Sequence, residues 1–336
     1  MVKLPILGTR FASRGTVSEQ QPGARSNRMC SRTQTRSMTR LFRWLSLLAL
    51  VTSLVTAPFF PATRADGERS DAARFEKAVA GLKEAEQALY LYERVERVED
   101  RKATGEANPT SVRVSRVFPA GTGIAHIALG PDAVPANTVA YKGDLERLLD
   151  SLTWAATSGK PQREAYDKIN KKQKERAELI DQTRSAFVFT FLGEETRGER
   201  TLSKFRMDPN PGYKPPSRMA SIFSKVKGIV WLDDTSGQMA RIEGEVTDDI
   251  SFGVFLGKIY KGSHFMQERY EFAPGVWLPS FSQYDFDARK LFSQITVHQK
   301  TFSTRYRKVG PPADAIPLIR AELKKLGESP ATSVNP

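Results

Sequence analysis

The chain has 336 residues, of which 40% are hydrophobic and 26% charged, and its formal net charge is +13. That length supports a core of one domain or one and a half. Residues 1–65 hold 10 Lys or Arg and a single acid, Glu19, leaving 41 basic against 37 acidic groups in the rest. The high isoelectric point therefore belongs to the N-terminal segment, and the remainder, near +4, gives no ground for a nucleic-acid partner.

That segment has the form of a secretory signal. Arg40 and Arg43 flank an uncharged apolar run over 45–57, and Thr63-Arg64-Ala65 offers a small-residue cleavage site before Asp66. The run of 13 residues falls short of the ~18–20 needed to span a bilayer, so a cleaved signal peptide and a periplasmic location are expected. The long polar stretch before Met38 reads either as an upstream artefact of a start at Met29 or Met38, or as a real extension. The single cysteine, Cys30, precedes the apolar run, so a lipoprotein modified at Cys30 is not expected and the exported chain carries no disulfide.

From residue 70 the spacing of Phe75, Val79, Leu82, Ala85 and Leu89 predicts an amphipathic helix with Asp71 as a candidate cap. Strands are expected over 90–98, 111–118 and 124–129, with Pro119-Ala120-Gly121-Thr122-Gly123 as a turn. Two helices follow over 142–154 and 161–183, which form an insertion across about 142–183. The lysines of the second, from Lys168 to Lys174, read as a solvated face balanced by acids. Strands resume with Phe187-Val188-Phe189-Thr190-Phe191, turn near Gly193 and Gly198, and return over 202–207. After a Pro-rich loop and a short helix over 217–226, a meander is expected over 229–232, 238–246, 252–260, 265–272, 276–286, 291–299 and 302–307. Its clearest strand sets Ala240, Ile242, Gly244 and Val246 against Met239, Arg241, Glu243 and Glu245, the period-2 pattern of a sheet with one dry and one wet side. Residues 310–336 complete the chain as a C-terminal helix and tail. The fold class is α+β, mostly antiparallel: a half-open, incomplete β-barrel over 66–309 with covering helices.

No motif carries recognisable chemistry. His126, His264 and His298 stand singly on separate strands, without a second histidine at i+2 or i+4. The acidic pairs at 233/234, 248/249 and 285/287 read as turn chemistry, and Glu194 and Glu195 as part of a hairpin turn. Thr157-Ser158-Gly159-Lys160 resembles the end of a phosphate loop, but Pro161 replaces the required Ser or Thr. There is no thiol after processing and no nucleophile elbow. The expectation is a protein that is not an enzyme and uses no cofactor or metal.

Aromatic residues remain. Phe187, Phe189, Phe191, Trp231, Phe252, Tyr284 and Phe286 all fall on expected strands and are the candidate lining of a ligand cavity. Alternate spacing places the first three on one side of their strand.

The order of elements resembles the periplasmic lipoprotein-carrier and outer-membrane lipoprotein-sorting proteins. Closer likeness, to a group of uncharacterised exported bacterial proteins compared with those carriers, lies in Trp231-Leu232-Asp233 through Gly237-Gln238 to Arg241-Ile242-Glu243. Gly275-Val276-Trp277-Leu278-Pro279 and the closing Tyr306-Arg307-Lys308 add to it. The resemblance implies an incomplete barrel lidded by helices over an apolar cavity. The expected function is a non-catalytic carrier or sensor of a hydrophobic ligand: an acyl chain, a lipid or a lipidated protein. The expected state is monomeric, and the gates are the helix from Phe75 to Leu89 and the short one near Ile222 and Phe223. The alternative is an envelope protein-interaction or structural module whose barrel is filled by its own side chains.

Overall fold

The computed structural model describes residues 64–251, 257–290 and 293–328. The apolar run, its cleavage site up to Thr63, Cys30 and Phe252 lie outside the described residues. Helix α1 spans Arg64–Ala88 and leads into strands β1 (Tyr92–Arg101), β2 (Ser111–Pro119) and β3 (Ile124–Leu129). Helices α2 (Thr138–Ala156) and α3 (Lys160–Ala186) follow, then β4 (Phe187–Arg197), β5 (Arg200–Pro209) and a 3-10 turn at Ala220–Lys225. The rest comprises β6 (Val226–Asp233), β7 (Met239–Val246), the two-residue strands β8 (Ile250–Ser251) and β9 (Lys258–Ile259), β10 (His264–Ala273), β11 (Val276–Lys290), β12 (Ser293–Lys308) and helix α4 (Pro312–Glu328).

The strands form one antiparallel sheet in the order β3-β2-β1-β12-β11-β10-β7-β6-β5-β4, with β8 and β9 attached beside β11. Among the described residues β3 and β4 do not pair, so the sheet stays open, as expected of an incomplete barrel. Two expected strands, over 291–299 and 302–307, are one: β12 runs through Lys300 and Thr301 because both pair continuously with Gln283 and Ser282. The Gly193 turn is also different. β4 continues to Arg197, Gly193 (φ +122°) marks a bulge opposite Lys204, and the reversal is made by Gly198 (φ +59°) and Glu199. The Asp233–Gly237 turn is as expected: Asp233 Oδ1 accepts from the Ser236 amide and hydroxyl, both at 2.7 Å, and Gly237 takes φ +68°.

Following directly paired residues across the ladder separates the two faces. Phe205, Val230, Ile242, Gln267, Ser282, Thr301, Val98 and Arg113 share one face. Lys204, Trp231, Arg241, Glu268, Phe281, Phe302, Arg97, Val114 and Leu129 share the other. Each face has its own helix pair. Helix α1 lies on the first, where Phe75 meets Phe205 with ring centroids 4.9 Å apart. Gly81 faces the β6–β7 hairpin, where the flexible end of the Gln238 side chain lies 1.8 Å from where a Cβ would stand. Helix α3 packs beside α1.

Helices α2 and α4 lie on the second face, over β2 and β3. Asn137 caps α2 by accepting from the Ala140 amide at 2.9 Å. The helix then buries Tyr141, Leu145, Leu148 and Leu152 at three- and four-residue steps, against Phe118 and Ile127 of the sheet and Ala315 and Ile319 of α4. The inserted helices thus split between opposite faces of one sheet.

Candidate functional site

On the α1 face, β4 is an edge strand whose Phe187, Phe189 and Phe191 point the same way. Phe187 is buried, Phe189 is half-buried and Phe191 is 49% exposed, a gradient from interior to solvent. Phe75 closes this trough. Its ring stacks on Phe189 at 3.8 Å, while Phe205 meets Phe191 at 5.4 Å and Phe223 of the 3-10 turn meets Phe187 at 5.5 Å. A second aromatic group, Phe265, Tyr284 and Phe286, sits on β10 and β11, with centroid separations of 5.6 and 6.3 Å. The register that joins the groups runs Phe189, Met207, Gly228, Gly244, Phe265, Tyr284. Two directly opposed glycines therefore leave a strip of bare backbone in the sheet between two sets of rings.

Of the seven aromatic residues singled out in the sequence, five share this face: Phe187, Phe189, Phe191, Tyr284 and Phe286. Phe252 lies outside the described residues. Trp231 is on the opposite face, because it pairs with Lys204 and Arg241 while its neighbour Val230 pairs with Phe205 and Ile242. There its indole donates to Glu195 at 2.9 Å, and Lys204 and Arg241 lie over the ring at 5.2 Å each. The indole hydrogen bond holds the Glu195 carboxyl below the usual range. Phe205 and Phe265, which were not singled out, complete the lining. Their signal was their own period-2 spacing, with Met207 and with Gln267.

Helix α1 buries Phe75, Ala78, Val79 and Ala85, and polar contacts flank that stretch at either end. Arg74 donates to Ser203 at 2.7 Å and reaches Asp234 at 3.4 Å. Toward the other end Glu86 receives Arg176 of α3 at 2.9 Å and stands 3.6 Å from Arg269 of β10. Burial pulls the Arg269 guanidinium below its ordinary pKa; Glu86 opposes this and Arg176 adds to it. Two further ion pairs join α1 and α3, Lys83 with Asp181 at 2.7 Å and Glu76 with Arg184 at 2.8 Å, all substantially exposed. Beside α1's C-terminal turn, burial pushes the Tyr306 hydroxyl up to about 12, and it donates to the Pro279 carbonyl at 2.6 Å.

The histidines are arranged less singly than their sequence positions suggest. His264, Asp285 and His298 are directly paired across β10, β11 and β12, and His298 Nδ1 is 3.0 Å from Asp285 Oδ1. His126 is on β3, beside Val117. Among the described residues no three His, Cys, Asp or Glu side chains come together as a metal site, and no helix is long and apolar enough to cross a membrane.

Neither a protein-family model nor a curated protein matches the chain. Among solved structures it is similar to a LolA superfamily protein from Nitrosomonas europaea, at 10% identity and TM-score 0.28, covering 70% of this chain and 92% of that one. A putative outer membrane lipoprotein-sorting protein domain from Vibrio parahaemolyticus gives 12% identity and TM-score 0.27, over 70% and 93% of the two chains. A DUF1329 family protein from Desulfovibrio piger gives 11% identity and TM-score 0.23, over 70% and 92%. Superpositions this loose identify no ligand, and what the chain binds has to be read from its own residues.

Proposed function

We propose that this chain is an exported, non-catalytic carrier or sensor that takes an acyl chain, free or on a lipidated protein, onto the α1 face, with α1 as its displaceable lid. The observation that carries the reading is Phe75. A lid residue fills the aromatic trough at the point where the trough opens to solvent through Phe189 and Phe191. An acyl chain entering from the β4 edge would replace one apolar occupant with another. Each buried methylene contributes about 0.8 kcal/mol, and no covalent step is needed. The α1–α3 seam supports such motion, since exposed ion pairs contribute roughly 0–1 kcal/mol each and re-form easily.

The test is mass spectrometry of an organic extract from the full chain, expressed in an exporting bacterial host and purified without detergent. A stoichiometric acyl species, absent from a mock purification, is expected. A clean extract together with failure to take up a fluorescent fatty acid would leave a filled interior and a protein-interaction module.

A further inference from the structure

On the opposite face, a groove of about 580 Å³ lies between β1, β2, β12, the 130–137 loop and α4. That volume is within the range of small-ligand sites. Its floor is a fixed charge network. The buried Arg116 guanidinium donates to Glu93 at 2.7 Å, to Glu322 at 2.9 Å and to the Tyr141 hydroxyl at 2.7 Å, and Tyr141 donates to Glu322 at 2.6 Å. Burial and that bond to Glu322 push the Tyr141 hydroxyl up to about 12, so it stays protonated. The network is satisfied within itself, and Arg307 adds a further contact to Glu93.

The rim is different. Arg305 is exposed and donates to the Ala133 carbonyl at 3.2 Å, and Lys325 makes no ion pair among the described residues. Four cationic side chains, Arg116, Arg305, Arg307 and Lys325, face two carboxylates, Glu93 and Glu322. The wall is apolar, with Val134 49% and Leu318 39% exposed beside Leu129 and Pro135.

The backbone is unusual at the same place. Among the described residues, Ala133 (φ +62°) and Arg305 (φ +53°) are the two non-glycine residues in the left-handed region, and they are hydrogen-bonded to each other across the groove. Such conformations cost on the order of 1–3 kcal/mol each and collect at ligand-binding positions. Here they aim a guanidinium and a carbonyl-bearing loop at one cavity.

We infer that this groove binds a small amphiphile with one anionic head, a carboxylate or phosphate monoester, held by Arg305 and Lys325 with its tail along Val134 and Leu318. Guanidinium forks suit either oxyanion, and the excess of positive charge at the rim fits one such group. The site is separate from the α1 face and does not depend on the lid.

The experiment is calorimetric titration of the full chain with dodecyl phosphate, dodecanoate, neutral monododecanoylglycerol and inorganic phosphate. At least one of the two anionic amphiphiles should bind ten times or more tightly than the neutral one, and the tighter of the two identifies the head. Lys325→Glu, an exposed change, and Arg305→Asn, which tolerates positive φ, should each abolish that preference while leaving neutral-probe binding unchanged. Neutral-probe binding reports the α1 face, so failure at one face is distinguishable from failure at the other. Equal binding of charged and neutral probes overturns the inference. So does a preference that survives both substitutions, or inorganic phosphate binding as tightly as dodecyl phosphate.

Discussion

Replacing Phe75 with alanine separates a lid residue from an ordinary core residue. Its ring is 8% exposed, stacked on Phe189 at 3.8 Å and edge-on to Phe205 at 4.9 Å. Truncating a core phenylalanine costs about 3–5 kcal/mol. The neighbouring Phe191 is already 49% exposed, so water can fill the space and the lower end, about 3 kcal/mol, is expected. At roughly 2–4 °C per kcal/mol for a domain of this size, the melting temperature should fall by about 6–12 °C. Ligand binding should move the other way. An acyl chain entering the wild type must first displace a ring whose burial is worth about 1.5–3 kcal/mol. In Phe75→Ala that obstacle is gone, so affinity should rise about 10- to 100-fold at 1.4 kcal/mol per decade. Equivalently, the shortest chain that binds should shorten by about two to four methylenes. Thermal melts and titration with a series of fluorescent fatty acids from C6 to C16 measure both effects. A variant that keeps its near-UV circular dichroism but binds no chain more tightly would refute the lid and leave Phe75 as plain core.

Other expectations follow from the same geometry. Phe189→Asp should abolish binding of neutral monododecanoylglycerol while Trp231→Phe leaves it within twofold, because the two residues occupy opposite faces; equal losses would mean the site is not on the α1 face. Raising salt from 20 to 500 mM should speed fatty-acid uptake in stopped flow by loosening the Lys83–Asp181 and Glu76–Arg184 pairs, and Lys83→Met should reproduce the effect at low salt. An uptake rate insensitive to both would place the gate elsewhere. Acid stability should fall along one limb. Burial acts to raise the carboxyls of Asp233 and Asp100, but hydrogen bonds from Ser236 and Arg200, and from Gln299 and Ser111, outweigh it and hold both below the ordinary value. Their contribution is therefore complete above the unfolded pKa near ~4 and is lost as pH falls through the native values. Melting temperatures from pH 6 to pH 2 should show that loss, and Asp233→Asn should flatten it; an unchanged slope would contradict the assignment.

Local patterns made much of this fold legible. Alternation located β7, the Asp233–Gly237 chemistry located its turn, and Phe187, Phe189 and Phe191 were placed together correctly. The face of Trp231 was not legible, for a physical reason. Nearly every residue of β6 is buried, from Val226 to Asp233, so that strand has no polar half to orient it. Only pairing with β5 and β7 decides which side its tryptophan takes, and pairing is not written in the strand itself. The division of α2 and α3 between the two faces was hidden similarly, since an amphipathic stripe shows that a helix packs but not on which layer. The charged groove had no local signal, because Arg116, Arg305 and Lys325 meet only after β2, β12 and α4 assemble.

That assembly has a consequence for folding. Among the described residues β12 is the last strand, and it lies between β1 and β11 as the only link in the ladder between the β1–β3 portion and the long meander. A nascent chain that has not yet emitted Ser293–Lys308 can pair its strands only as two separate fragments, each with a raw edge. Neither can recruit the other, because their shared template is still missing. Closure requires a contact spanning roughly 200 residues, such as Asp100 with Gln299, and pairings so distant form slowly. The chain should therefore commit to its native sheet late, after its C-terminal strand arrives. A version ending at Lys290 should remain protease-sensitive throughout and not merely at its new end, whereas local resistance of the meander alone would show that it folds without its last strand.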